Sequence, residues 1–367
     1  VTDLADLPLR DDLRGRIAYG APQLDVPVSL NTNENSYPLP EPVVAAVLAA
    51  VAGCARGLNR YPDREFSDLR ADLAGYLNAQ HAGAVTPDQI WAGNGSNEVL
   101  QHLVQAFAGP GRVALGFTPS YSMHPLISTG SGSTWVDGRR EADFDLDPDH
   151  VCAQIADVDP AIVFLCSPNN PTGTALSLDV VDSAYRATRG IVVVDEAYAE
   201  FARPATPSAL SLLPGRPRLV VTRTMSKAFA LAGARLGYLA ADPAVCQALR
   251  LVRLPYHLSA PTQAVARAAL AHHRDLLATV DALKAQRDRI VERLATLRLT
   301  PLPSDANFVF FGGLTDEKAV WAALLERGVL IRDVGIPGHL RVTAGTPDET
   351  DAFLDALAAV LKSLETA

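Results

Sequence analysis

The sequence holds four lysines against 28 arginines, and one of the four is placed where an amine could react. Lys227 lies in Thr224-Met225-Ser226-Lys227-Ala228-Phe229, just after the apolar run 219–222. That is the carboxyl end of an expected strand, the region where open α/β sheets bind ligands. Lysine, unlike arginine, can shed its proton and attack a carbonyl. Lys284, Lys318 and Lys362 fall in amphipathic helical stretches and read as solvated charges.

Other motifs carry complementary chemistry. Asp195 ends the apolar run 191–194 within Val194-Asp195-Glu196-Ala197-Tyr198. A carboxylate at a strand tip could pair with a pyridinium nitrogen and keep it protonated, which makes such a ring an electron sink; it could equally cap a helix. Tyr198, three residues on, could donate to a ring oxygen. Ser167-Pro168-Asn169-Asn170-Pro171-Thr172-Gly173 is a rigid turn, or a device that presents the Asn170 amide to the same oxygen. Gly93-Asn94-Gly95-Ser96-Asn97-Glu98 precedes a helix and could cradle a phosphate with backbone N–H groups. Neither a complete GxGxxG nor a GKS/GKT motif is present. Arg235, in Gly233-Ala234-Arg235-Leu236-Gly237-Tyr238, could pair with a phosphate dianion. Tyr121, in Thr118-Pro119-Ser120-Tyr121, could stack on a ring or simply fill core.

No motif decides alone; their order does. Asn170 to Asp195 spans 25 positions, Asp195 to Lys227 spans 32, and Lys227 to Arg235 spans 8. Each is expected to follow a strand, so all could converge on one edge of a sheet.

The elements that would position them are short apolar runs at 112–117, 161–166, 191–194, 219–222 and 236–240. Lacking polar alternation, they suit strands buried on both faces of a mostly parallel sheet. Helical patterns at 42–51, 67–77 and 97–107, and between several of the runs, fit crossover units. Residues 1–30, with Pro8, Pro22 and Pro27, read as an irregular arm, and 31–260 as the large domain. A smaller domain over 261–367 begins with a long amphipathic helix marked by Leu276, Val280, Leu283, Ile290 and Leu294. It continues with strands at 307–311 and 340–343. Thr346-Pro347-Asp348-Glu349 combines an N-cap, a proline at N1 and a capping-box glutamate, and opens a last helix to about 364.

Composition narrows the function further. Hydrophobic residues make up 48% and charged residues 20%, enough apolar side chains to build a large core. The net charge of −9 and the lack of a basic cluster argue against nucleic-acid binding, so an anionic substrate must be met by a few placed cations. Cys54, Cys152, Cys166 and Cys246 are widely spaced, and the histidines lack HExxH spacing; neither zinc nor a disulfide framework is expected. The adjacent His272 and His273 sit in a helical stretch, with a solvated or capping role. No apolar run approaches the roughly 18 residues of a membrane span, and residues 1–9 lack the basic region of a signal peptide. A cytoplasmic protein is expected.

The order of these motifs resembles class I and II aminotransferases, among them the histidinol-phosphate branch. It is carried by Asn94 to Glu98, Thr118 to Tyr121, Ser167 to Gly173, Val194 to Tyr198, Thr224 to Tyr238 and Leu340 to Glu349. Leu30-Asn31-Thr32-Asn33-Glu34-Asn35 and Arg60-Tyr61-Pro62 extend it to nearly the whole chain. The resemblance implies an α/β protein of the pyridoxal-phosphate-dependent transferase fold type I, a large domain with a mostly parallel seven-stranded sheet between helices plus a smaller α/β C-terminal domain. It implies pyridoxal 5′-phosphate held by Lys227 as a Schiff base, with Lys227 as proton shuttle. Asp195 would pair with the ring nitrogen, Asn170 and Tyr198 with the ring oxygen, and Tyr121 would cover the ring. Ser96 and Asn97 by backbone, with Ser226 and Arg235 by side chain, would hold the phosphate. Some members carry aspartate where this chain has Asn97, which matters little if the backbone binds. Tyr61 would reach the partner's cofactor phosphate in a homodimer with shared sites. Arg341 would hold the substrate's anionic group, helped by Arg332 and Tyr19. The implied reaction converts histidinol phosphate and 2-oxoglutarate to imidazole-acetol phosphate and glutamate. For Lys227 to act as a base, its pKa must fall from the usual ~10.4.

Three further readings stay open. An aromatic-amino-acid aminotransferase would use the same arginines for carboxylates alone. A decarboxylase of phosphorylated threonine would release carbon dioxide without an oxo-acid acceptor. A transcription-regulator sensor of this fold would carry a DNA-binding helix-turn-helix ahead of it, where only a short arm is expected here.

Overall fold

The computed structural model describes residues 3–81 and 84–365; Val1 and Thr2 of the expected arm, and the end of the expected small domain, lie outside them. After the arm, a two-residue strand β1 (Val28–Ser29) leads to the helices α1 (Glu41–Ala55) and α2 (Ser67–Gln80). The main sheet then unfolds as β2 (Ile90–Gly93), β3 (Val113–Thr118), β4 (Thr134–Arg139), β5 (Ile162–Cys166), β6 (Ile191–Asp195), β7 (Leu219–Thr224) and β8 (Gly237–Ala241). Between them lie α3 (Ser96–Phe107), α4 (Met123–Gly130), α5 (Pro148–Val158) and α6 (Leu178–Ala187), followed by α7 (Pro243–Leu249).

The seven strands are ordered β2-β8-β7-β6-β5-β3-β4. The β6–β5–β3–β4 and β6–β7 pairs are parallel; only β8 runs against its neighbours β2 and β7. The central strands β6 and β7 are β-branched or apolar apart from Asp195 and Arg223 near their carboxyl ends, and Val192, Val193, Val220 and Val221 are fully buried, as a sheet covered on both faces requires. Helix starts follow local chemistry: Asp147 and Ser177 accept from the first-turn N–H groups of α5 and α6.

The expected apolar runs are all strands, but two further strands of the main sheet escaped the pattern. β4 is the sheet's edge, with Thr134, Asp137 and Arg139 exposed, so it lacks a continuous apolar signature. β2 is four residues long and runs straight into the glycine loop. The expectation that Arg235 follows a strand is also corrected. It stands before β8, and reaches the same sheet end as Lys227 because β8 is antiparallel to β7.

The expected long helix is preceded by another: α8 (Ala260–Ala271) and α9 (His273–Thr296) meet at His272. There the His272 ring faces Asp275, and the His273 ring faces the Leu270 carbonyl, a capping arrangement. The first half of α9 packs into the main core, and its second half, through Ile290 and Leu294, into another. That second core also takes β10 (Phe308–Gly312), flanked antiparallel by β9 (Thr300–Pro301) and β12 (Leu340–Thr343), together with α10 (Glu317–Glu326) and α11 (Pro347–Glu365). The Thr346–Glu349 capping box is formed, each residue accepting the other's N–H. Strand β11 (Val329–Leu330) pairs in parallel with β1, and Leu30 is buried in the second core. The chain after β1 therefore leaves the second core at Leu30 and passes directly beneath the carboxyl ends of the main sheet. Among the described residues, no helix is long and apolar enough to cross a membrane.

Candidate active site

Lys227 stands in the turn after β7, and its Nζ donates to the Thr32 carbonyl at 2.9 Å. Burial, then the nearby Arg341 and Arg235 charges, lower its pKa to about 8, against an opposing pull from Glu34. A buried ammonium loses hydration, and two guanidiniums repel what remains of its charge. The required depression thus comes largely from the protein's own groups.

Asp195 closes β6 and is 1% exposed. One carboxylate oxygen accepts from Thr222 Oγ1 at 3.0 Å, and the other faces His124 Nε2 at 3.1 Å. Thr222 is its register partner on β7, and His124, on α4, is itself stacked on Phe164 with ring centroids 4.7 Å apart. The carboxylate is thus fixed on two sides. Sequence reading found neither partner: a threonine inside an apolar strand and a histidine on a short helix give no distinguishing signal.

Tyr198 follows Asp195 by three residues, and burial pushes its hydroxyl up to about 12, with Arg341 and Asn33 pulling the other way. Its Oη accepts from Asn33 Nδ2 at 3.0 Å. Asn170 stands in the turn after β5. Arg341 Nη1 donates to its Oδ1 at 2.5 Å, which leaves the amide N–H groups of Asn170 to other partners. Arg341 Nη2 donates to the Asn31 carbonyl at 2.7 Å, while its Nε is buried without a partner. Burial lowers the Arg341 pKa to about 10, with Tyr198 opposing and Arg332 adding to the fall.

The glycine loop has the form of an anion cradle. Gly95 is the N-cap of α3 at φ +83°, a conformation glycine adopts freely. Glu98 Oε2 accepts from Asn94 N at 2.5 Å and from Asn94 Nδ2 at 2.9 Å, and Asn94 Nδ2 also reaches the His257 carbonyl at 2.9 Å. The loop is therefore clamped from behind while the first turn of α3 opens forward. Arg235 Nη1 donates to Ala232 O at 2.9 Å and approaches Ser226 Oγ at 3.4 Å, which puts its guanidinium over that turn. Gly237 lets β8 approach the Ser96 backbone closer than any side chain would allow.

The site opens on one cavity of about 390 Å3. Tyr19, Ser96, Asn97, Tyr121, Asn170, Asp195, Tyr198, Ser226, Lys227, Arg235, Arg332 and Arg341 line it, together with Asn31, Thr32 and Asn33. Tyr121 Oη donates to Asn97 Oδ1 at 3.2 Å, fixing the ring at the cavity wall. Tyr61 is not among them. It is 79% exposed and stacks on Tyr256 at 4.3 Å between ring centroids. The cavity fits the expected pyridoxal phosphate: a cationic helix-end cradle, a buried carboxylate held rigid, and a depressed-pKa amine all face one space. Chemically, such a site can bind an aromatic aldehyde phosphate, hold its ring nitrogen protonated, and move a proton with an amine.

Residues 26–357 match the model of the family described as aminotransferase class I and II. The histidinol-phosphate aminotransferase of Paenarthrobacter aurescens is 62% identical over 358 residues, covering 97% of this chain and 95% of the relative. That of Frankia casuarinae is 63% identical over 363 residues, covering 98% and 91%. The crystal structure of histidinol-phosphate aminotransferase from Sinorhizobium meliloti in complex with pyridoxal-5′-phosphate superimposes with a TM-score of 0.81 at 28% identity, covering 92% of each chain.

Proposed function

Since the chain belongs to the class I and II aminotransferase family, we propose that it exchanges an amino group between histidinol phosphate and 2-oxoglutarate, in histidine biosynthesis. Its cofactor is pyridoxal 5′-phosphate, which when bound supplies an electron sink for the pair left behind by a departing α-proton. The chain's own residues do the rest. Lys227 Nζ, with its pKa near 8, becomes neutral far more readily than an exposed lysine, and in that neutral form can take the α-proton and return it to a neighbouring carbon. Asp195, held by Thr222 and His124, would pair with the ring nitrogen and keep it protonated. Tyr198 and Asn170 would offer hydrogen-bond donors to a ring oxygen. Ser226, Arg235 and the first turn of α3 would anchor the phosphate, and Tyr121 would cover the ring.

The observation that carries the substrate reading is the pairing of Arg332 and Arg341. Their backbones exchange two hydrogen bonds across a β-bridge, at 2.9 and 3.0 Å. Residues directly opposite on an antiparallel pair project to one face, and both line the cavity with Tyr19. Two guanidiniums suit a phosphate dianion; the distal carboxylate of glutamate can use the same pair in the other half-reaction.

In this reading the protein is a cytoplasmic homodimer. Leu58, Tyr61, Leu251, Leu254 and Tyr256 are exposed apolar groups on two segments joined by the Tyr61–Tyr256 stack and the Arg253–Glu65 ion pair. A solvated monomer gains nothing from displaying them together. Tyr61 would then reach the partner's phosphate.

Steady-state kinetics with histidinol phosphate and with phenylalanine, each with 2-oxoglutarate, test the substrate assignment. A kcat/KM for histidinol phosphate higher by about a hundredfold or more, as expected where a charged group is specifically met, supports it. Preference for phenylalanine would replace it with the aromatic reading.

A further inference from the structure

Three consecutive residues beneath the sheet each touch a different group of the site. The Asn31 carbonyl accepts from Arg341, the Thr32 carbonyl from Lys227 Nζ, and Asn33 Nδ2 donates to Tyr198 Oη. The first two contacts are made by backbone. The third depends on the side chain, and it is directional.

Asn33 is 2% exposed, with φ +57°, a left-handed conformation that asparagine tolerates better than most residues. Its amide is oriented from the far side by Thr343 on β12. The Asn33 backbone N–H donates to Thr343 Oγ1 at 3.1 Å, and Thr343 Oγ1 donates in turn to Asn33 Oδ1 at 3.0 Å. With the oxygen thus occupied, the NH2 end faces Tyr198. A phenol that accepts there keeps its own proton for another partner, and the remaining open side of Tyr198 is the cavity. Asn307 Nδ2 donates to the Asn33 carbonyl at 3.1 Å and holds the backbone in place.

We propose that Asn33 is a positioning residue that turns the Tyr198 hydroxyl proton toward the cofactor's ring oxygen. This rests on the aminotransferase reading above. The relay runs Thr343, Asn33, Tyr198, so the strand that carries Arg341 also sets the polarity of a hydrogen bond to the cofactor.

The test is a double-mutant cycle read by absorbance titration of pyridoxal phosphate into the apoprotein. Asn33→Asp keeps the size and the backbone but offers Tyr198 only acceptors, so the phenol proton is drawn away from the cavity. Asn33→Gly keeps the left-handed backbone and leaves the phenol free to choose. Asn33→Asp is expected to weaken cofactor binding on the order of tenfold, the worth of one hydrogen bond, and more than Asn33→Gly does. It should also move the pH at which the bound cofactor's long-wavelength band converts. In a Tyr198→Phe background both substitutions should add little. Should the Asn33 variants fold poorly, Thr343→Val removes the far anchor of the relay and should move the same readouts in the same direction. Equal losses with and without the Tyr198 hydroxyl would overturn the proposal, as would Asn33→Asp binding no worse than Asn33→Gly. No binding of pyridoxal phosphate by the unaltered protein would instead bring down the aminotransferase reading, and this inference with it.

Discussion

The Arg235 guanidinium occupies the space that a side chain at position 95 would need: a Cβ built on Gly95 would lie 2.5 Å from Arg235 Nη2. Gly95→Ala therefore displaces the arginine and strains a backbone at φ +83°. A strained left-handed residue costs about 1–2 kcal/mol, and the arginine's charge-assisted contact a similar amount. Pyridoxal-phosphate affinity should fall by roughly ten- to a hundredfold, measured by titrating the apoprotein, while kcat at saturating cofactor falls less.

The depressed pKa of Lys227 has a consequence for the apoprotein. Its folded value is about 8 against 10.5 for the exposed side chain. Below pH 8 the folded state carries a disfavoured charge. As pH rises from 8 to 10.5 the folded lysine is neutral while the unfolded one still binds its proton, so stability recovers. Lys227→Met apoprotein should melt at a higher temperature than the unaltered apoprotein at pH 7, with the gap closing between pH 8 and 10.5. A gap independent of pH would show that the lysine is not destabilised by burial. The same variant should have no measurable transamination, since amine and base are lost together.

Glu98 holds the loop in front of α3 through two hydrogen bonds to Asn94. Glu98→Ala leaves the Asn94 N–H without its acceptor and lets the cradle widen. Cofactor affinity should drop by about tenfold, the worth of a charge-assisted bond of roughly 1.5 kcal/mol, with KM for the amino donor unchanged at saturating cofactor. A change in donor KM alone would place Glu98 in substrate binding instead.

Arg332→Ala removes one of the two guanidiniums proposed to meet the substrate's anionic group. KM for histidinol phosphate should rise by about tenfold or more, as expected for one lost charge-assisted contact, and the rise should be smaller for a donor without a phosphate, such as phenylalanine. Equal effects on both donors would deny the arginine a role in meeting the dianion.

The chemistry-bearing side chains were legible because each follows or precedes a buried apolar run, and such runs are the least ambiguous signal in an α/β sequence. Asp195 and Lys227 could be placed at one sheet end from pattern alone. What could not be read has specific causes. The direction of β8 is invisible in Leu236 to Ala240, which reads the same in either orientation, so the pattern does not show that Arg235 precedes its strand. The edge strand β4 alternates with exposed polar groups and resembles a loop. Thr222 acts on Asp195 through strand register, and His124 through the packing of α4 against the sheet. Asn31 and Thr32 contribute carbonyl oxygens, which every residue type possesses.

The antiparallel return of β8 has one more effect. Ser226, Lys227 and Arg235 all lie on the single connection from Thr224 to Gly237, whose base is tied where Met225 N donates to the Leu236 carbonyl at 3.0 Å. The Lys227 amine and the Ser226 and Arg235 side chains are thereby mounted on one closed hairpin, like marks on a ruler. Arg332 and Arg341 hang from a different strand system. A change at Arg332 leaves that gauge alone, whereas one at Arg341 does not, because the Arg341 charge helps to depress the Lys227 pKa.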